Sequence, residues 1–273
     1  MILGFIFLSL IIAIQTSSFQ NYITNKLIED INEYELNNTE YKLDISDTSI
    51  AINGNLVLNY VSLVNSKSDT IVSLDKVQSS FLPFFQRNKQ FKTLIIDGLT
   101  LNANILKNKN NGSSIESSAI NQLSNSIGLE SLIINDSDFI FNLNNQLYTV
   151  DQLNLKFQDI SIKNNIISLY IDDLSGLINN SIDIKDFESD IIINKQSINV
   201  IEYKLTTQDN LLSGDLKIDL DEDSNINNIQ GVLNESRINL NDYIDIPESI
   251  KTFKTSFDFS GNKENIQINS FLV

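Results

Sequence analysis

From residue 38 onward, hydrophobic and polar residues alternate in short runs, and most runs end in Asn, Asp, Gly or Ser. Alternation with period two places successive side chains on opposite faces of a strand. Each run therefore predicts a β-strand with one apolar face and one polar face. The runs follow one another closely with few helical segments between them, which favours antiparallel strands over parallel βαβ units. The pattern predicts a mainly β protein.

Particular runs predict particular elements. Asn53-Gly54 separates two alternating runs and favours a hairpin, because this dipeptide suits a two-residue turn. Residues 82–91 predict a loop, and residues 114–127 have apolar residues at loosely helical spacing. The residues predicted to form apolar strand faces are Leu99, Leu101, Ile105, Phe139, Phe141, Leu143, Leu153, Leu155, Phe157, Phe257, Phe259, Ile266 and Ile268.

Some of these segments resemble one another. "LIIDGLTLNANI" (94–105) and "LIINDSDFIFNL" (132–143) share an apolar triplet, an acidic turn and an alternating strand, and residues 169–179 form a looser third copy. Repeated units of this kind favour an elongated sheet. The alternative is a closed β-sandwich, whose strands also resemble one another.

The chain begins with an uncharged apolar run from Ile2 to Ile14. Thirteen helical residues span about 20 Å, whereas the hydrocarbon core of a bilayer is about 30 Å thick, so the length suits a signal peptide. However, no Lys or Arg precedes the run and no clear small-residue cleavage site follows it. We therefore favour an uncleaved membrane anchor over residues 1–16. A cleaved signal peptide and a soluble core helix are the alternatives. The anchor residues are Ile2, Leu3, Phe5, Ile6, Phe7, Leu8, Leu10, Ile11, Ile12 and Ile14.

Apolar residues continue at helical spacing beyond this run, from Phe19 to Tyr34. This spacing predicts an amphipathic helix over residues 17–36, with Ser17 or Ser18 as its cap or with the helix running on from the anchor. Residues 37–273 then form the β domain.

Composition limits the chemistry. The chain contains no His, Cys or Trp, so the commonest general base, the thiol nucleophile and the usual zinc ligands are missing. Its net charge is −16, from 19 basic and 35 acidic residues. This charge disfavours nucleic acid and anionic membrane surfaces as partners. Any contact with a membrane is expected to be apolar.

Three short motifs suggest chemistry, but each has a simpler explanation. Ser73 and Lys76 match S-x-x-K without the partner motifs of that family, and strand geometry predicts that they point to opposite faces. Residues 219–223 begin like a calcium loop but lack the glycine and the acidic residue that should follow. The pair Asp172-Asp173 is typical of a turn. We therefore predict a protein that is not an enzyme, with no catalytic residue, metal site or cofactor.

The order of elements resembles the N-terminal part of TamB-type translocation and assembly module proteins, within the AsmA-like group of Gram-negative bacteria. The resemblance is carried by the apolar span that runs into "IQTSSFQNYITNKLIEDINEY". It continues in "KLDISDTSIAINGNLVLNYVSLVNSKSDTIVSLDKVQSSF" and "FKTLIIDGLTLNANILKN", and then in "LYIDDLSGLINNSIDIKDFESDIIINKQSINVIEYKLTTQDNLLSGDLKIDL". It covers most of the chain through apolar positions and turns, and no motif in it is invariant.

The resemblance implies a fold and a function. Such proteins are held in the inner membrane by a single N-terminal helix, and their periplasmic body is a curved, β-taco-like sheet with an apolar groove. They are linked to phospholipid transport toward the outer membrane and to outer-membrane protein assembly. The apolar strand residues named above would line the groove against acyl chains. Because family members are much longer, this chain is expected to be a truncated gene product, a fragment or a short AsmA-like relative. Contact with an outer-membrane barrel partner is left open. The alternative functions are assembly of outer-membrane proteins by strand pairing and a ligand-free structural role.

Overall fold

The computed structural model describes residues 16–36, 39–51, 54–80, 89–102, 127–143, 146–163, 166–221, 226–239, 252–262 and 265–272. Most of these residues lie in strands, which confirms the prediction of a mainly β protein. The anchor residues Ile2 to Ile14, together with Ile105 and all of the predicted helix 114–127 except Ile127, lie outside the described residues. Ile127 begins a strand.

One helix precedes the strands. It is α1 (Ser17–Asp30), and it continues into a π-helical turn (Ile31–Glu35). The strands are β1 (Tyr41–Ile50), β2 (Asn55–Asn65), β3 (Thr70–Ser80), β4 (Lys89–Asp97), β5 (Thr100–Asn102), β6 (Ile127–Leu143), β7 (Gln146–Lys163), β8 (Ile166–Ile178), β9 (Ile182–Ile193), β10 (Ser197–Thr207), β11 (Leu211–Leu220), β12 (Ile226–Asn239), β13 (Thr252–Gly261) and β14 (Ile266–Leu272).

Helix α1 lies within the segment predicted to be helical but begins with a different cap. The backbone N–H of Phe19 donates to Thr16 Oγ1 at 3.4 Å, so the capping residue is Thr16 and not Ser17 or Ser18. Ile23 and Leu27 lie one turn apart and are buried, because residues four apart share a helix face. Within the described part of the chain, no helix combines the length and the apolar composition needed to cross a membrane.

The strands form one sheet in the order β1-β2-β3-β4-β6-β7-β8-β9-β10-β11-β12-β13-β14, and β5 pairs with β3 and β6 beside this path. The pairs β1–β2, β2–β3 and β8–β9 through β13–β14 are antiparallel, as predicted. The prediction is wrong for β6, which runs parallel to β4 and β5. A parallel pair needs a long connection, and residues 103–126 supply the required length of chain.

Two local predictions have different outcomes. The hairpin at Asn53-Gly54 is confirmed, since β1 and β2 pair antiparallel and Gly54 adopts a φ of +83°. The predicted loop over residues 82–91 is wrong at its end, because β4 begins at Lys89. Phe91 pairs with Leu129 of β6, and its side chain is buried.

The first two sequence repeats lie side by side. Leu94 pairs with Leu132 and Leu101 with Phe139, so β4 and β5 match β6 in the register of the repeat. Gly98 and Asp136, which occupy the same repeat position, both adopt positive φ, at +64° and +45°. Glycine has no steric penalty in this conformation, and aspartate tolerates it. The similarity in sequence therefore reflects a repeated bend in adjacent parallel strands.

The chain divides into two compact units. The first contains residues 1–112 and 126–153, and the second contains residues 113–125 and 154–273. In the first unit, α1 covers the apolar face of the first strands. Ile23 and Leu27 form a buried cluster with Ile45, Ile50, Leu56, Leu58, Val61 and Val77.

Candidate functional site

The strand register of the second unit places apolar side chains on one face of β8–β14. Residues directly opposite in neighbouring antiparallel strands project to the same face, so the register assigns each residue to a side. Leu205 is opposite both Phe187 and Leu212, and Leu233 is opposite Phe257. We name this side of the sheet the apolar face. Its apolar and aromatic residues are Ile167, Leu169, Ile171, Phe187, Ile191, Ile193, Ile198, Val200, Tyr203, Leu205, Leu212, Leu216, Ile218, Ile229, Leu233, Phe257, Phe259, Ile266 and Ile268.

The opposite side of the same strands is mainly polar and charged, and is named here the polar face. Lys217 pairs with Asp219 at 2.8 Å along β11, and Lys204 of β10 approaches Glu188 of β9 at 3.6 Å. Hydrogen bonds from Lys217 and Asn228, in that order, hold the pKa of Asp219 below its usual range. The sheet of this unit therefore has one apolar face and one charged, polar face.

A β-bulge preserves this separation in β10. Val200 and Tyr203 are three residues apart and would fall on opposite faces of a regular strand. The pairing of β10 with β11 shifts between these residues, and its pairing with β9 shifts between Ile201 and Lys204. Glu202 adopts a φ of +50°. The Glu202 N–H donates to Asp215 Oδ1 at 2.9 Å, so the bulge leaves this donor satisfied. Both Val200 and Tyr203 therefore reach the apolar face.

The apolar face is far less buried than the core of the first unit. Among the buried apolar side chains of the described residues, only Ile171 and Leu233 belong to the second unit. Ile266 and Ile268 are 59% and 58% exposed. The two units differ in whether another element packs on the apolar side chains of the strands. Helix α1 packs on the strands of the first unit, and the described residues of the second unit contain no helix.

Part of the apolar face forms a pocket of about 450 Å³. Its volume lies within the range typical of small-molecule sites, about 300–1,000 Å³. Its described lining residues are Ile182, Leu205, Leu212, Leu233, Ile238 and Phe257, with Ser181, Asp183, Thr207, Gln208, Asp209 and Asn210 at the turns. The pocket is therefore apolar along the strands and polar where they end.

Aromatic side chains also belong to the apolar face, and one of them, Phe257, lines the pocket. Phe187 and Tyr203 stack with their ring centroids 6.4 Å apart, and the rings of Phe257 and Phe259 are 6.0 Å apart. Burial, followed by the charge of Asp215, raises the pKa of Tyr203, so its hydroxyl stays protonated at neutral pH. The aromatic part of the face is therefore uncharged.

The predicted groove residues divide between the units. Phe257, Phe259, Ile266 and Ile268 lie together on the apolar face of the second unit. Leu155 and Phe157 are half-buried on β7.

The remaining predicted groove residues belong to the first unit. Leu101 is opposite Phe139, and Leu99 precedes β5. Phe141 is partly exposed and stacks on Tyr148 at 5.5 Å. Leu99, Leu101 and Phe139 are half-buried, and Leu153 of β7 is buried. Leu143 lies in β6, and its side chain is not among those described.

Sequence reasoning missed most of the apolar face. The predicted set contained nothing from β8 to β12, although these strands supply its centre. The available signal was strict alternation in "NLLSGDLKIDL", where Leu212, Leu216 and Ile218 share one parity with Gly214.

The prediction for Asp172-Asp173 is wrong, because both residues lie inside β8 and not in a turn. Asp172 forms an ion pair with Lys156 and accepts a hydrogen bond from Gln158 at 2.7 Å. Lys76 of the S-x-x-K match lies 3.7 Å from Asp97. Within the described ranges, no group of three or more acidic side chains could hold a metal ion.

Comparison with family models, with curated proteins and with solved structures finds no match to this chain. The family resemblance therefore stays a prediction, and the function is argued from the apolar face itself.

Proposed function

We propose that this protein shields lipid acyl chains on the apolar face of its second unit. The observation that supports the proposal is the half-exposed apolar face itself, which spans seven consecutive strands from β8 to β14. Soluble proteins rarely leave contiguous apolar patches beyond a few hundred Å² without a binding role.

The energetics favour an acyl chain as the ligand. Burial of each CH₂ group gains about 0.8 kcal/mol, and no charged contact is needed. A strand of ten residues such as β11 extends about 33 Å, which is long enough for a fatty tail to lie along it. The polar face and the net charge of −16 keep the loaded protein soluble.

The resemblance to TamB-type proteins supplies the cellular setting of this proposal. In that setting, residues 1–16 anchor the chain as a single pass in the inner membrane, and the β domain lies in the periplasm. The sheet then forms a curved groove that carries phospholipid toward the outer membrane. The anchor segment lies almost wholly outside the described residues, so sequence alone supports this part.

A second candidate function follows from β14. It is last in the strand order and pairs with β13, and no second neighbour is found among the described strands. An open strand edge can pair with another chain by β-augmentation. This arrangement suits an assembly factor that receives strands of outer-membrane barrel proteins.

Native mass spectrometry of the purified full chain tests the main proposal. We expect phospholipid adducts on the folded protein. Leu216→Gln on the apolar face should reduce them several-fold, while Lys217→Gln, which places the same side chain on the polar face, should leave them unchanged. A folded protein without lipid adducts would overturn the proposal and favour a ligand-free structural role. Crosslinks from β14 to nascent barrel strands, without bound lipid, would support the second candidate.

A further inference from the structure

We infer that the pocket on the apolar face prefers lipids with an amine-bearing, zwitterionic headgroup over lipids with net negative charge. This inference rests on the proposed function and adds the class of lipid. It follows from the position of polar groups at one end of the pocket and from the sign of their charge.

The pocket has the two-ended form that an amphiphile requires. Leu205 of β10 is opposite Leu212 of β11, and Leu233 of β12 is opposite Phe257 of β13. These four side chains line the pocket and provide an apolar wall. At one end, the turn between β10 and β11 presents Asp209 and Asn210, and Asp183 at the start of β9 lies beside them. A tail lying along the strands therefore places its headgroup at these turns.

The polar end of the pocket, formed by Asp183, Thr207, Gln208, Asp209 and Asn210, is named here the rim. Hydrogen bonds hold its turn in place. The Thr207 N–H donates to the Asn210 carbonyl at 2.9 Å, which closes the turn. Asn210 Oδ1 accepts from the Asn239 N–H at 2.7 Å, which ties the turn to β12. A rim held in this way loses little conformational entropy when a headgroup binds.

The charge of the rim is negative. The described residues that line the pocket include two aspartates and no Lys or Arg. Asp183 is paired with Lys185 at 2.6 Å, whereas Asp209 makes no ion pair within the described part of the chain. A headgroup with net negative charge is therefore repelled at Asp209, and an ammonium group is attracted.

The size of the effect follows from Coulomb's law. Two unit charges about 6 Å apart in water interact with roughly the thermal energy, which corresponds to about a threefold preference at low ionic strength. Screening should reduce this preference as salt is added, because the rim is open to solvent.

The test offers the full chain an equimolar mixture of phosphatidylethanolamine and phosphatidylglycerol with identical acyl chains, and measures the bound ratio by native mass spectrometry. We expect about threefold more phosphatidylethanolamine. Asp209→Asn should bring the ratio close to one, and Asp209→Lys should invert it. Asp190→Asn, which removes the same charge from an exposed site on β9, is the control and should keep the wild-type ratio.

The outcomes separate the two claims. Equal binding of both lipids by the wild type would overturn the headgroup preference and leave the proposed function standing. An equal change in ratio for Asp190→Asn and Asp209→Asn would also overturn it, because net charge and not the rim would then set the preference. A folded chain that binds neither lipid would overturn both claims.

Discussion

The contrast between the two units can be measured with one pair of substitutions. Leu56 in the first unit is fully buried, in the cluster covered by α1, whereas Leu216 lies half-buried on the apolar face of the second unit. Leu56→Ala and Leu216→Ala remove the same atoms from the same type of strand. They differ in how much of the side chain is already in contact with water.

The expected losses of stability follow from that difference. A leucine truncated in a closed core loses its transfer free energy and leaves a cavity, together about 3–5 kcal/mol. A leucine that keeps contact with water loses only part of the transfer free energy and leaves no closed cavity, about 1 kcal/mol. The loss in the free energy of unfolding should therefore be about three times larger, or more, for Leu56→Ala than for Leu216→Ala.

Urea unfolding followed by far-ultraviolet circular dichroism measures both losses, with delipidated protein at equal concentration. If Leu216→Ala costs as much as Leu56→Ala, the apolar face is closed by protein, and the reasoning from its exposure fails. A second titration with added phospholipid should stabilise the wild type more than Leu216→Ala, because binding to the native state adds to its stability.

Three further substitutions test other features. Ser137→Ala should destabilise by about 1–2 kcal/mol in urea unfolding, because the buried hydroxyl accepts from the Leu99 N–H; an unchanged midpoint would contradict this bond. Burial, followed by neighbouring carboxylates, raises the pKa of Asp186, so folding favours its protonated form and its ionisation lowers stability as pH rises through that pKa. Asp186→Asn should therefore stabilise at pH 7 and gain less at pH 4; an equal gain at both would contradict the shift. Gly231→Ala should destabilise by about 1–3 kcal/mol in urea unfolding, because a Cβ would lie 2.6 Å from the Phe259 ring and 2.8 Å from the Asp215 carbonyl oxygen; an unchanged midpoint would contradict this close packing.

The sequence predicted what depends on neighbours along the chain. Alternation identified the strands because the pleat has period two, and Gly54 marked the first hairpin because its φ is positive. The helical spacing of Ile23 and Leu27 identified α1. Each of these signals is contained within about a dozen residues.

Features that depend on distant segments escaped prediction. The parallel pairing of β4 with β6 joins segments 38 residues apart, and only the repeat hinted at it. Alternation assigned Phe257 and Phe259 to an apolar face but could not show what covers that face. The bulge at Glu202 also escaped, because a strand with an extra residue breaks the alternation from which strands are recognised.

Photo-crosslinking in lipid membranes tests most directly whether the apolar face carries acyl chains. A benzophenone amino acid is placed at Leu216 on the apolar face, at Lys217 on the polar face, and at Leu58 beneath α1. The account predicts lipid adducts at position 216 and few at positions 217 and 58. Equal labelling at all three positions, or only protein adducts at position 216, would contradict it.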